Sequence, residues 1–302
     1  MALVITWDRL RVFAALAEHG SIAAAAAAHH LTGPAVSQHL RKLERETGCR
    51  LIEPDGRGVR LTAAGHVLAG HARTIGHAFS DAEHDLAEIH GLVAGPLRVG
   101  SIATVLRGPV SAALHALVTE YDRLEPVVRD GEVPDLIGEL RARRLDVAVI
   151  ESWTGTPARM PPGLRVTPLL REDVRLAVPE NHRLAGQEVI QLGELDGETW
   201  ASCPADIGGH EAILHALRAH NIEADIRYRV SDFPTQLSLV AAGLTLAAVP
   251  RLGRDPYPAV RYVPTDPPLF RDIAAVTNTD AETPTIRLFL DTVRAHTTDP
   301  RA

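Results

Sequence analysis

Thr32, Gly33, Pro34, Ser37, Gln38, Arg41 and Lys42 fall within eleven residues of a 302-residue chain. Their side chains supply hydroxyls, an amide, a guanidinium and an ammonium. An amide can pair bidentately with an adenine edge, and a guanidinium with guanine or a phosphate. Carried at the start of a helix, these groups could reach base edges and phosphates. No GxSxG and no Walker loop occurs, and DIGGH at 206–210 is too short for a nucleotide fingerprint. His210, His215 and His220 recur every five residues, and His66, His71, His77, His84 and His90 at intervals of five to seven. Ligands on one helical face need three or four. We therefore expect no catalytic set, no metal site and no cofactor.

The elements that must position these residues are helices. In WDRLRVFAALAEHG, Leu10, Phe13, Ala14, Leu16 and Ala17 recur at helical spacing and Gly20 is a stop. Ser21 can cap a second helix containing the six alanines 23–28, alanine being the best helix former. Thr32-Gly33-Pro34 breaks that helix and starts a third, which runs to Gly48. Two short helices joined by a tight turn predict a helix-turn-helix. Pro54-Asp55-Gly56-Arg57-Gly58 then forms the turn of a two-stranded wing, and Thr62 caps the next helix.

The stretch LRVFAALAEHGSIAAAAAAHHLTGPAVSQHLRKLERETGCRLIEPDGRGVRLTAAG resembles the N-terminal domain of LysR-type transcriptional regulators. The match is close over about residues 7 to 65 and continues as a looser pattern to 302. In such a head the N-terminal part of the recognition helix enters the major groove. Ser21 and Arg57 are expected as positioning contacts, at a helix N-terminus and at the wing tip. The family commonly has glutamine at the position of Gly33 and arginine at that of Gln38, so no base preference is carried over.

Leu68, Ala72, Ile75, Phe79, Ala82, Leu86 and Ile89 alternate spacings of four and three. That is a heptad seam and implies a partner helix. The resemblance implies a dimer of these linker helices, commonly assembled into tetramers. Gly91 and Gly95-Pro96 mark the end of the linker. The expected domains are 1–65 for the head, 66–90 for the linker and 91–302 for the body.

The net charge of −7 is uneven: residues 1–65 carry eight Lys/Arg against six Asp/Glu, and the rest 23 against 32. A mildly basic head on an acidic body fits a polyanion partner for the head only. No apolar run approaches a membrane span, no signal peptide is evident, and two distant cysteines suit a reducing compartment. A cytoplasmic protein is expected.

From Leu97 strands and helices alternate, which predicts a mainly parallel α/β sheet. Its order resembles the two-lobed effector domain of the same family, akin to periplasmic binding proteins. Lobe 1 is expected over about 97–165 and 266–302, lobe 2 over about 166–265. The fold class is thus an N-terminal all-α winged helix-turn-helix and long linker helix, then a C-terminal two-lobed α/β domain.

Ligands sit beyond the carboxyl ends of strands in such sheets. Those ends point to Ser101, Ala103 and Thr104, to Gly131, Glu132 and Glu151, and to Ser202, Cys203, Phe233 and Thr235. A helix N-terminus near Ser101 and Thr104 would suit a carboxylate, and Glu132 with Glu151 an amine, so an amino acid or carboxylate effector is expected. The reading is a regulator that binds promoter DNA as a homodimer or homotetramer and senses a small metabolite. The alternatives are a regulator whose body only mediates assembly, and a ligand-binding protein or enzyme with an incidental helix-turn-helix.

Overall fold

The computed structural model describes residues 5–55, 58–89, 93–205, 207–281 and 283–297. The chain divides into two compact units, residues 1–86 and 87–302.

In the first unit, α1 (Trp7–His19) stops at Gly20, whose φ of 68° is the left-handed conformation that glycine adopts without strain. Ser21 Oγ accepts from the Ala24 N–H at 3.2 Å and starts α2 (Ile22–Ala28). All six alanines lie in this helix. Ala25 and Ala26 are buried, and their small side chains let α2 sit close to α1 and α3. Thr32 Oγ1 accepts from the Ala35 N–H, and Pro34 occupies the first turn of α3 (Gly33–Thr47). Phe13, Leu16, Val36, Leu40 and Leu43 fill the core among these helices.

The wing is the antiparallel pair β1 (Ile52–Asp55) and β2 (Gly58–Leu61), with Ile52 opposite Leu61. The head is thus helical apart from this hairpin. Thr62 Oγ1 accepts from the Gly65 N–H at 3.1 Å, capping α4 (Ala63–Ile89). Its first turns belong to the head: Ala69 is in the core and Ala64 and Leu68 pack on it.

In the second unit, β3 (Gly95–Ser101) leads into α5 (Ala103–Val105), a wide turn at Leu106–Val110, and α6 (Ser111–Glu120). Then come β4 (Leu124–Asp130), α7 (Val133–Arg141), β5 (Val147–Trp153) and the 16-residue β6 (Leu164–Pro179). The short β7 (Ile190–Gln191), β8 (Thr199–Ser202), α8 (Gly208–Arg218), β9 (Asp225–Arg229), α9 (Phe233–Ala241) and β10 (Leu246–Pro250) follow. β11 (Val260–Val263), β12 (Thr265–Asp266), β13 (Leu269–Asn278) and α10 (Pro284–Thr297) complete the chain.

The main sheet is mixed, not mainly parallel. Its order is β4-β3-β5-β13-β6-β10-β8-β9, with β11 also on β6. Both flanks are parallel, but β13 runs antiparallel to β5 and β6, and β6 antiparallel to β10. The reason is that the chain passes between lobes along these two long strands in opposite directions. Both strands serve two cores. Leu169 and Ile273 pack in the first core with α6, α7 and α10, while Val174, Leu176 and Leu269 pack in the second with α8. The exchange therefore lies inside β6 and β13, a few residues beyond the expected boundaries at 166 and 266.

Candidate nucleic-acid interface and effector cavity

On α3, Pro34, Gln38, Arg41 and Arg45 are exposed at intervals of four, three and four, which places them on one face. With Gly48, Cys49 and Arg50 they line an open groove. Arg41, Arg45 and Arg50 give it positive charge. The one carboxylate among the described residues that line it, Glu44, is engaged: Oε1 accepts from the backbone N–H groups of Leu51 at 2.9 Å and Ile52 at 3.4 Å. Glu44 therefore ties the end of α3 to the start of the wing.

The other expected contacts are spread around this face. Thr32 and Lys42 are exposed, Gly33 is half-buried, and Ser37 Oγ donates to the Gly33 carbonyl at 3.0 Å. Ser21 spends one lone pair on its cap and keeps a hydroxyl hydrogen. Arg57 lies outside the described residues. Sequence reasoning missed Arg45 and Arg50, although Arg45 continues the spacing of Gln38 and Arg41 by one turn.

The heptad seam divides. Leu68 packs on the head and Ala72 is fully buried. Ile75, Phe79, Ala82 and Leu86 are exposed, with Phe79 stacked on Trp7 at 5.5 Å between ring centroids. The side chain of Ile89 lies outside the described residues.

In the second unit a cavity of about 400 Å³ opens at the strand ends. Of the residues expected there, Ala103, Thr104, Glu132, Glu151, Ser202, Cys203 and Phe233 line it. Three do not. Ser101 faces the core side of β3 and donates its hydroxyl to the Ile102 carbonyl. Gly131 has no side chain to offer and backs on Leu136. Thr235 is exposed on α9, where its hydroxyl donates to Asp232 at 2.8 Å.

The lining also holds Trp153 and Arg271, which the sequence reading did not single out. Trp153 stands two residues after Glu151 on β5, hence on the same face of the strand. Arg271 reaches this place only through its register opposite Trp153 on β5 and Glu172 on β6, which no local pattern reveals. Its guanidinium donates to Glu151 Oε2 and Glu172 Oε1, both at 2.7 Å. The side chains of Arg271, Glu151 and Glu172 are 1%, 10% and 0% exposed. Trp153 Nε1 donates to the other oxygen of Glu151 at 2.8 Å, and the Leu252 N–H to Glu172 Oε2 at 2.8 Å. A buried ion group thus joins β5 to both crossover strands.

Cys203 lies beside this group. Burial pushes its thiol up to about 11, and the Glu151 charge adds to the rise against an opposing contact from Ser202. Among the described residues no group of His, Cys, Asp and Glu could hold a metal ion, and no helix is long and apolar enough to cross a membrane.

A winged helix-turn-helix head with a long helix, followed by a two-lobed α/β body with a cavity at its strand ends, defines a one-component DNA-binding transcriptional regulator. Family models match both parts: the bacterial regulatory helix-turn-helix protein, lysR family, over residues 7–66, and the LysR substrate binding domain over 90–298. The chain belongs to the LysR family. The hydrogen peroxide-inducible genes activator of Dickeya chrysanthemi is 28% identical over 247 residues, 80% of this chain and 78% of that protein. Among solved structures, a full-length OxyR variant from Pseudomonas aeruginosa superposes with a TM-score of 0.70 at 22% identity, covering 96% of this chain and 95% of that one. CbnR complexed with its target DNA gives 0.69 at 23%, covering 97% and 100%.

Proposed function

We propose that this regulator reads its promoter through the α3 face, pairs with a second copy along the exposed part of α4, and takes a small-molecule effector in the body's cavity. The observation that carries the DNA contact is the exposed row Pro34, Gln38, Arg41 and Arg45 beside Arg50. Half-exposed Ile75 and Phe79 and more exposed Leu86, at heptad spacing, support pairing with an identical helix. Two paired heads call for a roughly two-fold symmetric operator. The reading is of a binder, not a catalyst. An effector acts by favouring one arrangement of the paired heads over another, so its influence equals its differential affinity for the two arrangements.

The test is a quantitative gel shift at fixed salt with Arg41→Ala. If Arg41 reads a guanine, affinity falls by about 1–3 kcal/mol at one operator position. If it holds a phosphate, affinity falls for every sequence and the salt slope drops by about one charge. Unchanged binding removes Arg41 from the interface.

A peroxide-sensing role, suggested by the name of the Dickeya relative, is disfavoured by chemistry. The thiolate is the reactive form, and Cys203, pushed up to about 11, is protonated at neutral pH. Cys49, the other cysteine, belongs to the other unit.

A further inference from the structure

Resting on the reading of the cavity as the effector site, we propose that its ligand is an organic cation, a small amine with an apolar body, and not a carboxylate. Among the described residues, six charged side chains line the cavity: Asp130, Glu132, Glu151 and Asp232 against Arg107 and Arg271. Arg271 is already shared between Glu151 and Glu172: Nη1 and Nε donate to them, and Nη2, without a hydrogen bond of its own, still lies in ion contact with Glu172 Oε1. One guanidinium between two carboxylates leaves an excess negative charge where the side chains are nine-tenths buried or more. Excess charge in such a place is costly unless a counter-charge meets it.

Among the described residues that line the cavity, the other positive group, Arg107, does not supply one. Arg107 is half-exposed and 3.8 Å from Asp255. The Asp232 carboxylate caps α9 by accepting from the Thr235 N–H at 2.9 Å. Glu132, at the start of α7, adds its charge to that of Glu151, and both push the Cys203 thiol in the same direction.

An independent observation points to a ligand. Thr104 lines the cavity, is 7% exposed, and its Oγ1 has no hydrogen-bond partner. A buried hydroxyl without a partner is unfavourable, and an ammonium N–H placed between Thr104 and the glutamates would satisfy it. The rest of the wall is apolar: Ile102, Trp153, Ile213 and Phe233. Aromatic faces attract cations as well as hydrocarbon. A volume of about 400 Å³ fits a small molecule.

The experiment is thermal unfolding of the full chain with matched probes at equal millimolar concentrations. The amines are 2-phenylethylamine and 3-methylbutylamine; their carboxylate counterparts are 3-phenylpropionate and 4-methylpentanoate. An amine is expected to raise Tm where its counterpart does not. Glu132→Gln should weaken that amine roughly tenfold, the loss expected of one charge-assisted contact, and Thr104→Val should weaken it less. The unliganded Tm of both variants is measured as a check on folding and should not fall, because each substitution removes a group that is unfavourable without a ligand. Stabilisation by the carboxylates alone overturns the cation proposal and leaves the cavity an effector site of opposite preference. No shift with any probe overturns both. An amine effect untouched by either substitution places the amine elsewhere and overturns the proposal.

Discussion

The carboxylate of Glu44, near the end of α3, accepts the backbone N–H of Leu51, which enters the wing. It thereby sets the angle between the helix and the hairpin that flank the positive groove. Glu44→Ala leaves the Leu51 and Ile52 N–H groups without this acceptor and should cost about 1–3 kcal/mol in the head, read by urea denaturation. Glu44→Gln keeps a carbonyl oxygen in place and should cost less than half as much. Equal losses for the two variants would show that charge, not hydrogen bonding, fixes the wing.

Alanine substitutions at two glycines of α4 should have opposite signs. A Cβ on Gly65 would run into the carbonyl oxygen of Leu51, a backbone atom that cannot yield. Gly65→Ala should therefore destabilise by about 1–3 kcal/mol, overriding alanine's better helix propensity. Gly70 has nothing within 4 Å of its added Cβ. Gly70→Ala should stabilise by about 0.5–1 kcal/mol through propensity alone. Chemical denaturation of both variants decides, and stabilisation at position 65 would rule out the close approach.

These head features were largely readable in advance, because each is local. Gly20, Ser21, Thr32, Pro34 and Gly48 act within one helical turn, so their order in the chain is their order in space. The body is different. The positions of Glu132 and Cys203 in the cavity follow from strand ends, which local pattern reveals. Arg271 meets Glu151 and Glu172 across 120 and 99 residues of chain, by a register that only the assembled sheet defines. The same is true of the antiparallel centre: VRLAVP reads as a strand, but nothing in it tells that β6 begins at Leu164 and serves two cores. The seam on α4 was legible as a period, yet not that Ala72 would be used up by the head itself.

Arg271 also offers a test of burial. Arg271→Met leaves Glu151 and Glu172 without their shared counter-charge and should destabilise the body by about 3–5 kcal/mol, measured by urea denaturation. The neighbouring position supplies the control. Asp272 points to the other side of β13 and faces Arg171 at 3.6 Å, with both side chains more than half exposed. Asp272→Asn should change stability by less than about 1 kcal/mol. Comparable losses at both positions would mean that the Arg271 group is solvated rather than buried.

Cys203 predicts a dependence on alkaline pH. Burial raises its thiol from an ordinary 9.0 to about 11, so across that window the folded chain holds a proton that the unfolded chain has released. Stability is fully present below 9.0 and falls as pH rises toward 11, by an amount on the order of 2 kcal/mol. Cys203→Ala should flatten this part of the profile of Tm against pH. Alkylation gives a second measure: iodoacetamide at about pH 8 should label exposed Cys49 and spare Cys203, which becomes reactive only as pH approaches 11. Rapid labelling of Cys203 under those mild conditions would show that its thiol is neither buried nor raised, and would restore the redox reading that its surroundings oppose.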